Sequence, residues 1–319
     1  MFPTWGRCTS AALTLLNFWS CVRQRMSGAS LQYVVCCSAL FAPLTAAPSH
    51  LQGEGRYSLL LNEKGGIIDD CIITQMKDYT NIVLNAGCKE KDLDFLQAML
   101  NEAKASGKLA DCSISHLDEQ QLIALQGPQA AAVLQSMLPV EDLSTLGFMQ
   151  AREVMLDTGN SLHKVFIVRC GYTGEDGFEI SFKAEDVDSI VRRIAADDNV
   201  QLAGLGARDA LRLEAGLPLY GNDINEDTTP VEAGLLFAIS KYCHASGCCY
   251  AHVCFDTGKN RRQTGGFNGS DKILHQISEK SWTRKRVGLA IEGRAPSRGM
   301  LKLCAVLVET HSLCAQLAT

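Results

Sequence analysis

Residues 1–53 contain no Asp, no Glu and no Lys; Arg7, Arg23 and Arg25 are their only acid or base charges apart from the chain terminus and His50. An acid-free, Arg-bearing, Ser-rich amino terminus is the composition of an organellar transit peptide. The run "LQYVVCCSALFAPLTAA" has the apolar core and small residues of a secretory signal, but it begins at Leu31, too deep for one. A misassigned start is the third reading. Other absences narrow the function classes. No run reaches the roughly 18 to 20 apolar residues that a membrane-spanning helix requires. Basic residues are not in excess: the formal net charge is −5, the opposite of a nucleic-acid-binding balance. Between 56 and 240 the only histidines are His116 and His163, and no Ser-His-acid or Cys-His arrangement stands out. No internal repeat is visible.

The chain has 319 residues, 46% of them hydrophobic, enough for about two domains with substantial cores. Its fourteen cysteines are unevenly spread. Cys71, Cys88, Cys112 and Cys170 stand singly, without the spacing of a disulfide framework, and read as reduced, half-buried thiols in a reducing compartment. Cys243, His244, Cys248, Cys249, His252 and Cys254 crowd one short segment without a clean C-x₂-C pair, so no metal site is expected there.

From Arg56 to Ser240 the patterning is that of an α+β protein. "RYSLLLN" and "GGIIDDCIIT" read as strands joined by "NEKGG", and "NIVLNA" as a third. "KDLDFLQAMLNEAKASG" is a helix with Leu93, Leu96, Met99, Leu100 and Ala103 on one face and Gly107 as its stop. "QLIALQGPQAAAVLQSML" predicts a strand and then a helix with Pro128 at its first position. "LHKVFIVRCGYTGEDGFEISF" predicts a hairpin around a glycine-rich turn. "AEDVDSIVRRIAA" and "GLGARDALRLEAG" predict two further helices. Hairpins alternating with helices imply antiparallel sheets with helices packed on them, not a doubly wound parallel fold. After Lys241 the periodicity fails, and it resumes in "FNGSDKILHQISEKSWTRKRVGLAIEG".

Three stretches could carry chemistry. Asp69 and Asp70 are adjacent, and neighbouring strand residues point to opposite faces, so they do not form a shared-proton dyad. A bulge at the Gly-Gly lead-in could re-aim one of them, and both could equally be turn or strand-edge acids. In "GYTGEDGFE" three glycines indicate positive φ and a fixed loop presenting Tyr172, Glu175, Asp176 and Glu179. Glu179 alternates with Phe178 and Ile180, so it should face away from the core. There it could accept two parallel hydrogen bonds from a planar donor pair, an Arg or a 2-amino-pyrimidinone edge such as a pterin; an ordinary acidic hairpin is the alternative. "GLGARDALRLEAG" fails both the Walker and the Rossmann spacing. Arg208 and Arg212, four apart on one helix face, could hold a carboxylate or phosphate, or pair with Asp209 and Glu214.

In order along the chain, "GRYSLLLNEKGGIIDDCII", "VLNAGCKEKDLDF", "IALQGPQAA", "RCGYTGEDGFEIS", "LAGLGARDALRLEAGLPLYGNDINEDTTPVEAGL" and, more weakly, "RKRVGLAIEG" resemble aminomethyltransferase, the T-protein of the glycine cleavage system. The resemblance implies a folate-binding T-protein-like fold with three domains in a ring around a folate channel. It implies a tetrahydrofolate-dependent enzyme of the mitochondrial matrix. Such an enzyme takes the one-carbon unit from the aminomethyl group on the lipoylated H-protein, gives 5,10-methylenetetrahydrofolate and releases ammonia. By position, Asp70 matches the essential aspartate beside the reacting folate nitrogens, and Glu179 the pterin-recognising glutamate. Tyr57, Asn85, Tyr172 and Arg208 match further folate-contacting positions. Asp69 becomes the bystander, satisfied by backbone or a basic neighbour. No metal, nucleic acid or membrane is implied.

The resemblance divides the chain into a leader or non-family segment (1–43), a folate-binding core (44–240), an irregular Cys/His-rich insertion (241–265) and a remnant start of a C-terminal domain with an atypical tail (266–319). The family's amino-terminal motifs and most of its C-terminal barrel have no counterpart, so an incomplete enzyme with impaired activity is expected. Two relatives of the idea remain: a non-catalytic folate-binding protein, and a folate domain of the dimethylglycine or sarcosine dehydrogenase type. The second usually follows a flavin domain, and no dinucleotide fingerprint precedes Leu44.

Overall fold

The computed structural model describes residues 31–37, 52–77, 79–107, 112–239, 261–288, 303–307 and 313–317. They fall into two units that divide between residues 285 and 286. The Cys/His-rich stretch 243–254 lies outside the described residues.

The first unit holds two antiparallel sheets. Five strands, β1 (Leu31–Cys37), β2 (Gly55–Leu61), β3 (Ile67–Gln75), β4 (Thr80–Leu84) and β5 (Cys112–His116), line up in the order β2-β3-β4-β1-β5. Thus part of the segment read as a leader runs as a strand between β4 and β5. β3 and β4 are separated by a short turn, and α1 (Lys89–Ala105) follows β4. α1 buries Leu96, Leu100 and Ala103, and Gly107 follows it at φ +68°, the left-handed conformation that ends a helix.

The second sheet has the order β6-β9-β8-β7, from β6 (Gln120–Gln126), β7 (Ala151–Asp157), β8 (Leu162–Val168) and β9 (Gly177–Lys183). Leu125, Val154, Leu156, Val165, Ile167, Phe178, Ile180 and Phe182 point from it into a core closed by α2 (Ala130–Gln135) and α3 (Val187–Ala195). Strands β5 and β7 escape the sequence pattern, because "AREVMLD" interleaves its buried Ala151, Val154 and Leu156 with charged and long side chains. Pro128 is not the first helical residue. Gly127 at φ +119° turns the chain, Ala130 donates to the Gly127 carbonyl, and the helix starts after Gln129.

The β2–β3 hairpin is covered on both faces. Leu60, Ile68, Cys71 and Ile73 pack with Leu96, whereas Leu59, Leu61 and Ile67 pack with Ile224, Val231, Phe267 and Ile273. The second group brings in α5 (Pro230–Ala233) and α7 (Ser270–Glu279); α4 (Leu205–Glu214) and α6 (Arg261–Thr264) complete the helices of this unit. A register shift between Leu60 and Leu61, opposite Ile67 and Asp69, accommodates the Gly-Gly lead-in. In the second unit β10 (Leu303–Leu307) and β11 (Leu313–Leu317) form an antiparallel pair. Antiparallel sheets with packed helices are the α+β architecture expected. Among the described residues no helix is long and apolar enough to cross a membrane.

The cysteine expectation needs correction. Cys71, Cys88 and Cys170 are free but buried rather than half-buried, and Cys112 is disulfide-bonded. Single spacing along the chain does not reveal which residues a sheet brings together.

Candidate functional site

Alternation along β3 sends Asp69 and Asp70 to different surroundings. Asp69 is wholly buried, and Asp70 lines a cavity of about 550 Å³. The walls of this cavity come from β2, β3, the end of β4, the Cys170–Tyr172 turn, Glu179 on β9, α4 and residues 217–220. Tyr57, Asp70, Asn85, Tyr172, Glu179 and Arg208, spread over more than 150 residues of sequence, all line it.

The two acids are nevertheless in communication. Asn85, just past β4, donates its side-chain amide to Asp69 Oδ1 (2.9 Å) and to Asp70 Oδ1 (2.8 Å), and its backbone N–H to Asp69 Oδ2 (3.2 Å). Asp69 is therefore satisfied by backbone and amide rather than by a basic neighbour. Burial, and then the adjacent Asp69, push the proton affinity of Asp70 up to about 6, against the opposing pull of Tyr57 and Asn85. The Tyr57 hydroxyl is buried beside Asp70 without meeting strict hydrogen-bond geometry, and burial drives its own proton affinity far up.

The "GYTGEDGFE" turn divides its labour. Asp176 is taken by Arg169 in a two-pronged ion pair (2.9 and 2.7 Å), so it braces the hairpin instead of facing the cavity; Glu175 is exposed. Tyr172 donates its hydroxyl to the Pro218 carbonyl (2.6 Å). Glu179, between buried Phe178 and Ile180, faces the cavity as alternation predicts. Its proton affinity is raised by burial, while the Arg208 charge and the Cys170 thiol counteract this. Of the three glycines only Gly174 has positive φ, +79°. Gly171 and Gly177 answer a different need: a Cβ on either would collide with the Gln126 side chain, which donates to the Cys170 carbonyl (3.0 Å). Expecting positive φ at all three was wrong.

The arginine pair on α4 also splits. Arg212 is buried and bonds to Asp209 (2.8 Å), Asp223 and the Leu217 carbonyl, a structural assignment in which Asp223, not Glu214, is the second acid. Arg208 stacks on Tyr172 with its guanidinium carbon 4.8 Å from the ring centre, at the cavity wall.

Several contributors are absent from the motif reading. Phe148 and Phe237 line the cavity while 79% and 65% exposed, which places them at its opening; Phe237 packs on Tyr57 with ring centres 5.6 Å apart. Asp92 is fully buried behind Asp69. One signal for it was available: Asp92 lies on the same helical stripe as Leu96, Leu100 and Ala103, an acid where a core residue belongs.

The GCVT N-terminal domain family matches residues 42–242. The mitochondrial aminomethyltransferase of Dictyostelium discoideum is 38% identical over 272 residues, covering 83% of this chain and 61% of that protein. The Pisum sativum mitochondrial aminomethyltransferase is 44% identical over 254 residues, covering 79% and 55%. The crystal structure of the glycine cleavage system aminomethyltransferase T from Bartonella henselae superposes with a TM-score of 0.61 at 36% identity, covering 79% of this chain and 62% of that one. The chain spans about 60% of the length of the first of these relatives. With the domain profile spanning well over half of its residues, the chain belongs to the GCVT family, the family of the glycine cleavage T-proteins.

Proposed function

We propose that the cavity binds tetrahydrofolate and that the chain transfers to it the one-carbon unit of the aminomethyl-lipoyl arm of H-protein, the reaction that the resemblance to T-proteins implies. The observation that carries this reading is the convergence of Tyr57, Asp70, Asn85, Tyr172, Glu179 and Arg208 on one cavity. Glu179 receives the paired N–H groups of the pterin, and Tyr172 and Arg208 form a flat surface beside it. The exposed rings of Phe148 and Phe237 give the opening an apolar edge for an aliphatic carrier arm.

In the reaction the C–S and C–N bonds of the aminomethyl carbon are replaced by bonds to folate N5 and N10. Two folate N–H protons leave, one to the departing sulfur and one to the departing nitrogen, which is released as ammonia. A carboxyl whose proton affinity stands near 6 can accept and pass on a proton at neutral pH, and this is the role of Asp70. The Asn85 amide holds that carboxyl in place, and the buried Tyr57 hydroxyl stands beside it. A mitochondrial location is the reading that its mitochondrial relatives support.

The test separates binding from chemistry. Glu179→Ala should weaken tetrahydrofolate binding about tenfold or more, the scale of a lost charged hydrogen-bond pair. Asp70→Asn should bind tetrahydrofolate yet fail to form methylenetetrahydrofolate from aminomethylated H-protein. Unchanged binding in Glu179→Ala, or full turnover in Asp70→Asn, would overturn the assignment.

A further inference from the structure

Behind the cavity, on the far side of Asp69, three groups meet out of reach of solvent. Asp69 and Asp92 are both 0% exposed, Cys88 is buried, and one ligand-type atom from each lies within 4.8 Å of the others. Neither oxygen of Asp92 receives a hydrogen bond from an N–H, hydroxyl or amide group. The nearest ammonium is engaged elsewhere: Lys91 Nζ donates to the Ile68 carbonyl (2.6 Å) and the Tyr220 hydroxyl (2.5 Å) and lies 3.4 Å from Glu226. Two ionised carboxylates this close in a dry interior, one of them without a single donor, are energetically prohibitive.

Asp69 already has N–H donors from Asn85, so Asp92 is the carboxyl of the pair that lacks a partner. A shared proton resolves this with the groups present, since a protonated Asp92 becomes a donor and Asp69, with lone pairs to spare, its acceptor.

Resting on the assignment of Asp70 as the working acid, we propose that Asp92 is a positioning residue: it and Asp69 share one proton, and the Asp69 so held fixes the Asn85 amide that points Asp70 into the cavity. The chain of contacts runs from α1 through β3 to the end of β4 and back to β3. Burial, the closeness of the Asp69 carboxylate and its charge hold the proton on Asp92, while Lys91 opposes them and Asp70 adds to them. The Cys88 thiol beside them keeps its proton, its affinity raised mainly by burial and then by Asp69. Without the Asp92 donor, Asp69 is less compensated and draws the Asn85 amide to itself. Asp70 then faces a stronger neighbouring charge with one donor fewer.

The experiment uses the whole chain with carbon-13-labelled aspartate carboxyls and three proteins: parent, Asp92→Asn and Asp92→Leu. In the parent, one carboxyl resonance should keep its protonated shift through neutral pH, and it should be missing from Asp92→Asn. Asp92→Asn retains an N–H donor of similar shape, so the Asp70 midpoint near pH 6 and the affinity for tetrahydrofolate should stay at parental values. Asp92→Leu should move the Asp70 midpoint upward and weaken tetrahydrofolate binding about tenfold, the scale of a lost hydrogen bond to a charged group. If every aspartate of the parent titrates in the ordinary carboxylate range, or if Asp92→Leu leaves the Asp70 midpoint in place, the proposal is wrong. The carboxyl resonance of the parent decides the question even where Asp92→Leu does not fold. A shifted Asp70 midpoint in a protein that never binds folate would overturn the folate assignment and leave the proton pair standing.

Discussion

Asp70 sits on a strand whose neighbouring residues serve the core, so its charge is held against both burial and the carboxylate beside it. Its folded-state proton affinity, near 6, lies above the 3.8 of a solvated aspartate. Between those values the folded chain binds more protons than the unfolded one, so this group's contribution to stability declines as pH rises through that window. Asp70→Asn removes the charge while keeping the shape. At neutral pH the variant should be more stable than the parent by about 1 to 3 kcal/mol, and the gain should vanish below the ordinary carboxylate range. Urea unfolding at both pH values measures this, and a variant no more stable than the parent at neutral pH refutes it. The separation of Asp69 from Asp70 was legible in sequence, because period-two alternation is local. Their bridging by Asn85 was not. It depends on where β4 ends relative to β3, a register that no local pattern encodes.

At the scale of the element, the β8–β9 turn depends on a single side chain filling the space that two glycines leave. A Cβ on Gly177 would lie 2.5 Å from Gln126 Nε2 and 2.7 Å from the Leu125 carbonyl oxygen, a backbone atom in the paired strand that cannot swing away. On Gly171 the clash, 1.7 Å, is with the end of the Gln126 side chain alone. Gly177→Ala should therefore cost about 2 to 3 kcal/mol, as overpacking in a well-packed sheet does, and Gly171→Ala about 1 kcal/mol through the lost Gln126 bond to Cys170. Combining Gly171→Ala with Gln126→Ala should cost less than the sum of the two single changes, whereas Gly177→Ala with Gln126→Ala should recover little. Denaturant midpoints of the three single and two double variants test this, and full additivity in the first pair would count against it. The glycine spacing was visible in sequence and correctly marked a special turn. The reason for it was hidden, since Gln126 lies on β6, more than forty residues earlier. The same distinction separates Arg208 from Arg212: helical spacing shows that they share a face, and only the packing of Asp223 against the helix shows which one is committed to structure.

For the whole molecule, the cavity matters because it is built from both sheets at once. The sheets are tied along one edge by main-chain bonds, Gly55 N–H to the Met149 carbonyl (2.5 Å) and Ala151 N–H to the Gly53 carbonyl (2.6 Å), which join segments almost a hundred residues apart. The motifs identified both halves of the site but not this joint, since β7 carries no readable alternation and supplies half of it. A ligand held by Asp70 on β3 and Glu179 on β9 adds a second tie across the same gap. It binds only when both sheets are folded and docked, so the stabilisation it confers belongs to the pair and not to either sheet. Tetrahydrofolate at a hundredfold excess over its dissociation constant should raise the unfolding free energy by about 2.7 kcal/mol. Amide exchange should slow together in β3 and β9, and Glu179→Ala, with its affinity down tenfold or more, should cut the stabilisation to about 1.4 kcal/mol or less in both strands at the same ligand concentration. Protection confined to one sheet would mean that the ligand contacts only that half. Simultaneous protection that is undiminished in Glu179→Ala would place the ligand in the cavity without the pterin contact assigned to Glu179.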